Sequence, residues 1–216
     1  MFFMMYDHKK EEVLADMVHL YIVLTRTNTM ISRLIRLFTH DEYTHAALSL
    51  DRELQEMYSF GRKYTHNPFV GRFKHERLDE GLYKLAKQLP GVVLDIEVSP
   101  ENYAEARELV EQFIMNRERY KYNVRGLFYG LLNKPTTRSD RFLCSQFVYF
   151  VLNESGIVEF HTPANLVRPV DFLALNAHIV YEGDLKRLLG EKQQICPMRI
   201  RLYRSVRNKL VSTKVS

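Results

Sequence analysis

Cysteine is scarce in this chain. Only Cys144 and Cys196 occur in 216 residues, which argues against the disulfide framework that staples small secreted domains. No apolar run approaches the roughly 18 residues that a membrane-spanning helix needs, so no transmembrane segment is expected. The opening MFFMMYDHKKEE has no basic leader and turns to charge after a short apolar patch. It does not read as a secretory signal, and a cytoplasmic location is the expectation. No linker rich in Gly, Ser or Pro interrupts the chain, and no internal repeat occurs. A single domain is expected over 1–216, with its core over about 19–182.

Acidic residues also run out. None follows Glu191, whereas Arg199, Arg201, Arg204, Arg207, Lys209 and Lys214 do, and this tail accounts for a net charge of +5. A charge run of this kind is a solvated end strand or a contact with an anionic surface. Zinc spacings, interleaved glycines and a recognition helix are missing, so no nucleic-acid partner is expected.

What is present is a globular composition, 46% hydrophobic and 26% charged. HLYIVLT (19–25) reads as a buried strand. NTMISRLIRLF (28–38) reads as a helix, with Asn28 as cap and Ile31, Leu34, Ile35 and Phe38 on one stripe. HAALSL (45–50) and LQEMYSF (54–60) flank a turn at 51–53 and read as a hairpin. The stretch holding Gly61, Pro68 and Gly71 reads as an irregular loop. GVVLDIEV (91–98) is a strand, and Ser99-Pro100-Glu101 starts a helix that is expected to reach about Arg119. A helix over about 124–132 follows, then the helix of DRFLCSQFVYFVL, which stops at Gly156. RPVDFLAL reads as a short helix, and AHIVYE and MRIRLYR as strands. The class is α+β, an antiparallel sheet with helices packed against it.

Cys144 heads a stripe formed with Phe147, Val148, Val151 and Leu152, so one face of its helix meets the core. A thiol at a helix N-terminus sits where unpaired N–H groups and the helix dipole favour an anion. The same N–H groups suit an oxyanion on a substrate carbonyl. Such a thiol needs an imidazole as base and a polar group to orient it. His45, which opens the strand AALSL, is the candidate. Equally open at this point is a small core thiol beside a strand-end polar residue. His66, His75 and His161 lie in loops without ligand spacing, so neither a metal nor another cofactor is expected. Cys196, just before Pro197, reads as structural.

YTHAALSLD and LQEMYSFGR, followed much later by FLCSQFVYFVL, resemble the circularly permuted papain-like amidases. These are relatives of the NlpC-type cell-wall peptidases and of the lecithin retinol acyltransferase group. In that branch the histidine strand precedes the cysteine helix, the order seen here. The resemblance implies a permuted papain-like fold with Cys144 as nucleophile at a helix N-terminus and His45 as general base. It also implies an orienting residue on the next strand. Glu56 is the nearest polar residue to the expected place, and a turn one residue longer would bring Ser59 nearer instead. Tyr58, Tyr122 and Gln146 are candidates for lining the substrate pocket. The implied activity is hydrolysis of a small peptide or amino-acyl amide through a thioester. Acyl transfer on lipid, or a non-catalytic papain-like binding module, are the alternatives.

Overall fold

The β-branched and aromatic run VHLYIVLT forms strand β1, Val18–Thr25, buried along most of its length. The computed structural model describes residues 17–27, 30–62, 71–132, 134–135 and 140–189. β1 pairs antiparallel with β2, His45–Ser49, on one side and with β5, Pro90–Val98, on the other. The remaining strands are β3, Met57–Arg62; β4, Gly71–Glu76; β6, Lys121–Tyr122; β7, Arg141–Phe142; and β8, His178–Asp184. They complete an eight-stranded sheet in the order β7-β6-β4-β3-β2-β1-β5-β8. Every neighbouring pair is antiparallel except β6 and β7. The architecture is α+β, a mostly antiparallel sheet packed with helices.

Strand alternation sorts the core into two layers. Leu20, Ile22, Leu24, Ala46, Leu48, Phe60, Phe73, Val92 and Leu94 point to one face. On it lie the helices α3, Pro100–Met115, and α5, Cys144–Glu154. Phe60, Phe73, Phe113, Phe142 and Phe147 form a cluster there, with Phe113 and Phe147 edge to face at 5.1 Å between centroids. Aromatic pairs of this geometry add about 0.5–1.5 kcal/mol each beyond the area they bury. Tyr21, Val23, Ala47, Met57, Tyr83, Val93 and Leu185 fill the opposite face. Helix α1, Met30–Thr39, the short α2, Gly81–Leu85, and α4, Val124–Leu131, stand around one end of the sheet.

Local chemistry accounts for the element ends. Ser99 Oγ accepts from the Asn102 N–H at 3.2 Å, and Pro100 takes the first helical position of α3. That helix stops at Met115 rather than near Arg119, because 116–119 turn away. The second hairpin strand starts at Met57, later than the expected 54. The cause is Asp51, whose carboxylate accepts from the N–H groups of Gln55 and Glu56 at 2.9 and 2.6 Å and from Ser49 Oγ at 2.9 Å. Leu54 takes a left-handed conformation, φ 56°. This Asx-type turn lengthens the loop and sets Ser49 opposite Met57.

Part of the stretch read as an irregular loop is β4, paired with β3 over six residue pairs. RPVDFLAL is a 3-10 helix over Pro169–Ala174. The Asn28 cap, His66, Cys196, the strand at 198–204 and the basic tail lie outside the described residues.

Candidate functional site

Helix α5 is held hard against the sheet, with Phe147, Val148, Val151 and Leu152 fully buried. Its first turn is fixed by Gln146, whose Oε1 accepts from the Leu143 N–H at 2.8 Å and from Asn123 Nδ2 at 3.1 Å. Asn123 Oδ1 in turn accepts from the Gly126 N–H at 2.9 Å, which ties the start of α5 to the start of α4. A Cβ at Gly126 would fall 2.2 Å from Asn123 Nδ2, so this position must stay bare. Cys144 therefore emerges from a rigid N-terminus. It is only 8% exposed.

The thiol and the ring of His45, the first residue of β2, line the same cavity and interact electrostatically. One side of the ring is taken by Glu76, with His45 Nε2 at 3.1 Å from Glu76 Oε2. That leaves Nδ1 as the ring nitrogen not held by Glu76. Glu76 ends β4 and is itself buried and fully engaged. Tyr83 Oη, on α2, donates to Glu76 Oε2 at 2.8 Å, and Lys74 Nζ sits 2.8 Å from Oε1. Lys74 and Glu76 share a face of β4 with Gly61 of β3 beside them. A Cβ on Gly61 would fall 2.7 Å from Lys74 Cε and 3.2 Å from Glu76 Oε1.

These contacts decide the charge states. Burial works against a charged imidazole at His45, but the Glu76 carboxylate and the Cys144 sulfur outweigh it and raise the pKa to about 10. Burial likewise opposes the Cys144 thiolate. The His45 imidazolium, together with main-chain N–H groups of Ala46 and Ser145 directed at the sulfur, brings the thiol below its ordinary value. Burial also opposes the Glu76 anion, and His45 and Lys74 hold that carboxyl well below the usual range. Tyr83 is pushed up by burial and by Glu76, so it stays a neutral donor. These shifts favour a thiolate–imidazolium pair backed by the Glu76 carboxylate.

The thiol and imidazole open onto a cavity of about 350 Å³. Its polar lining includes Thr27, Ser32, Thr39, Asp41, Thr44 and Arg168. Among these, Ser32 and Thr44 share a hydrogen bond of 2.7 Å, and Arg168 is paired to Asp41 at 3.1 Å. Its apolar lining includes Ile35, Leu127, Leu131 and Leu166. Among the described residues no group of His, Cys, Asp and Glu is placed to hold a metal ion.

The structure thus brings Cys144 and His45 together and leaves Glu56 out. Glu56 points along the helix-bearing side and pairs with Arg107 of α3 at 3.3 Å, near solvent. The longer Asp51 turn is the physical reason, since it keeps Glu56 out of β3 altogether. Ser59 does share the His45 face of the sheet and is buried, yet the ring is held by Glu76, not by Ser59. Tyr58 stacks on Phe73 at 5.9 Å in the core layer and does not line the cavity. Tyr122 does line it, packed over Gly71. Gln146 serves the helix cap and not the cavity wall.

Glu76, Lys74, Tyr83 and Asn123 were not singled out from sequence. The signal for the first two was the alternation in FKHE, where Lys74 and Glu76 share one face and Phe73 and His75 the other. Comparison with family models, with curated proteins and with solved structures finds no match.

Proposed function

We propose that the protein is a cysteine hydrolase of permuted papain-like architecture that cleaves a small peptide-like amide through a thioester on Cys144. The observation that carries this reading is the line Cys144–His45–Glu76, buried at its back and open to the cavity at its front. A thiol paired with an imidazolium is a nucleophile at neutral pH, and a carboxylate behind the ring holds its orientation and charge.

In the proposed cycle the thiolate adds to the amide carbon, forming the S–C bond and moving the carbonyl electrons onto oxygen. Main-chain N–H groups at the start of α5 are the donors nearest that oxyanion. As the intermediate collapses, the imidazolium gives its Nδ1 proton to the departing nitrogen, the C–N bond breaks and the amine leaves. His45, now neutral, takes a proton from water while the water oxygen attacks the thioester carbon. The C–S bond breaks, the acid is released, and the thiolate–imidazolium pair is restored. Imidazolium is the proton donor that a poor amine leaving group requires.

The hydroxyls in the lining, with Asp41 and Arg168, support a substrate bearing amide and charged groups. A second reading, acyl transfer to or from lipid, uses the same thiol and finds support in the apolar lining residues Ile35, Leu127, Leu131 and Leu166. Incubation with a panel of dipeptide amides and of phospholipid micelles, followed by intact-protein mass spectrometry, separates the two. The amidase reading expects amine release and an acyl adduct on Cys144 that Cys144→Ala lacks. An adduct from lipid alone, with no amine released from any amide, would replace it with acyl transfer.

A further inference from the structure

Five of the seven large apolar side chains that stand far out of the described surface belong to the helices around the cavity mouth. Leu37 is 70% and Phe38 62% exposed on α1, Leu85 is 71% exposed on α2, and Tyr129 on α4 and Leu132 just beyond it are 44% and 67% exposed. The three helices border one opening, because Ile35 and Thr39, Leu82 and Tyr83, and Leu127 and Leu131 all line the cavity. α1 also touches α4.

The three helices themselves carry charge of one sign. MISRLIRLFT, GLYKL and VRGLFYGL contain no acidic residue. Arg33, Arg36, Lys84 and Arg125 lie within them, and Lys87 and Lys134 close by. The nearest acids have basic partners: Asp41 and Asp171 share Arg168, Asp79 and Glu80 share Arg77, and Glu42 lies 3.9 Å from Arg26. Apolar side chains exposed among basic ones, on short helices ringing an opening, match the pattern by which amphipathic helices enter an anionic lipid interface.

We propose that α1, α2 and α4 form a face that docks on an anionic lipid bilayer, with the cavity mouth turned to the headgroups. Leu37, Phe38, Leu85 and Leu132 enter the interface, and the arginines and lysines meet lipid phosphates. The site would then receive an amide carried by a membrane-borne molecule. Docking requires no thiol chemistry and stands whether or not Cys144 is a nucleophile.

The experiment is sedimentation of the full chain with vesicles of phosphatidylcholine containing phosphatidylglycerol, and with vesicles of phosphatidylcholine alone. Binding is expected to the anionic vesicles only, and to weaken with salt. Arg33→Gln with Arg36→Gln is expected to weaken it about 30-fold, and Leu37→Ser with Phe38→Ser to abolish it. Because Arg33, Leu37 and Phe38 are exposed and Arg36 is only half-buried, the variants should keep the melting temperature of the parent. Cys144→Ala should bind like the parent, so failure here is distinct from failure of the hydrolase reading.

Phe38→Trp supplies a second readout in a chain that has no tryptophan. Its emission should shift to the blue with anionic vesicles. Absence of binding at low salt overturns the proposal. So does binding that the helix variants retain but removal of residues 199–216 destroys, or a lipid-free dimer that Leu37→Ser with Phe38→Ser dissociates.

Discussion

Glu76 Oε2 lies 3.1 Å from His45 Nε2, across 31 residues of sequence. The carboxylate is buried with the ring and meets two further donors, Tyr83 and Lys74. It therefore sets the charge of the imidazole and, through it, that of the thiol.

Thiol reactivity is expected to depend on Glu76 and not on Glu56. In the parent, alkylation of Cys144 by iodoacetamide should be half-maximal below pH ~8.5, the value of a free thiol. Glu76→Gln removes the charge that favours imidazolium, and each rise of the thiol pKa by one lowers the thiolate fraction at neutral pH about tenfold. Glu56→Gln only breaks a solvent-facing pair with Arg107 and should leave the profile where it was. A profile that moves with Glu56→Gln and stays with Glu76→Gln would dismantle the proposed site.

Stability against pH should carry a signature of the ion pair. Between about pH 6.5 and 8.5 the unfolded chain holds a neutral imidazole and a protonated thiol, and the proposed ion pair an imidazolium and a thiolate. Both states bind the same number of protons, so the pair contributes no slope. Above about 8.5 the unfolded thiol also ionises while folded His45, with its pKa of about 10, keeps its proton. Stability from the pair is then lost as pH rises. In Cys144→Ala the balancing thiol is gone and Glu76 still holds His45, so the loss should begin near pH 6.5. Urea unfolding at a series of pH values checks it, and identical profiles for parent and variant would show that no ion pair exists.

Removal of Lys74 should act on the acid side. Lys74→Met takes a charge-assisted hydrogen bond from a buried carboxylate, at a cost of about 1.5–3 kcal/mol. The Glu76 pKa should rise toward its unfolded value of about 4.3, so the stability lost as pH falls from that value to the folded pKa becomes smaller, and the loss is complete at a higher pH than in the parent. Denaturant midpoints from about pH 2 to 7 measure this, and an unchanged acid limb would count against the Lys74–Glu76 contact.

Gly61→Ala should have its effect through Lys74 rather than through the strand. The added methyl meets the flexible end of that side chain, 2.7 Å from Cε, so the ammonium gives way and Glu76 loses it. The Gly61→Ala and Lys74→Met costs should therefore fail to add in a double-mutant cycle. Full additivity would mean that the strand itself is strained.

The sequence carried the strands at 19–25 and 91–98, the Ser99-Pro100 helix start and the place of Cys144 because each rests on a short-range pattern. His45 could be picked out as a strand-initial residue near a helix start. Glu76 could not, for two physical reasons. The hairpin register depends on the Asp51 carboxylate turn, and three acceptor contacts of one side chain leave no periodic trace. β4 is also polar on one face, because Lys74 and Glu76 compensate each other there, so its alternation looked like a loop. Asn123 and Gln146 were hidden in the same way, since an amide pair between two helix starts exists only once both helices are packed.

The three members of the line come from a strand, its second neighbour in the hairpin meander and a helix made much later in the chain. His45 and Glu76 belong to strands of the β1-to-β4 run within the first hundred residues, and the thiol before them comes from a helix that starts at residue 144. Cys144 by itself, on a solvated and unpacked segment, is an ordinary slow thiol. Docking of its helix onto the Phe60–Phe73–Phe113 cluster both seals the core and delivers the sulfur to the imidazole. Under the proposed function, completion of folding is the activation step, and a chain that loses its packing is expected to lose its thiolate in the same event.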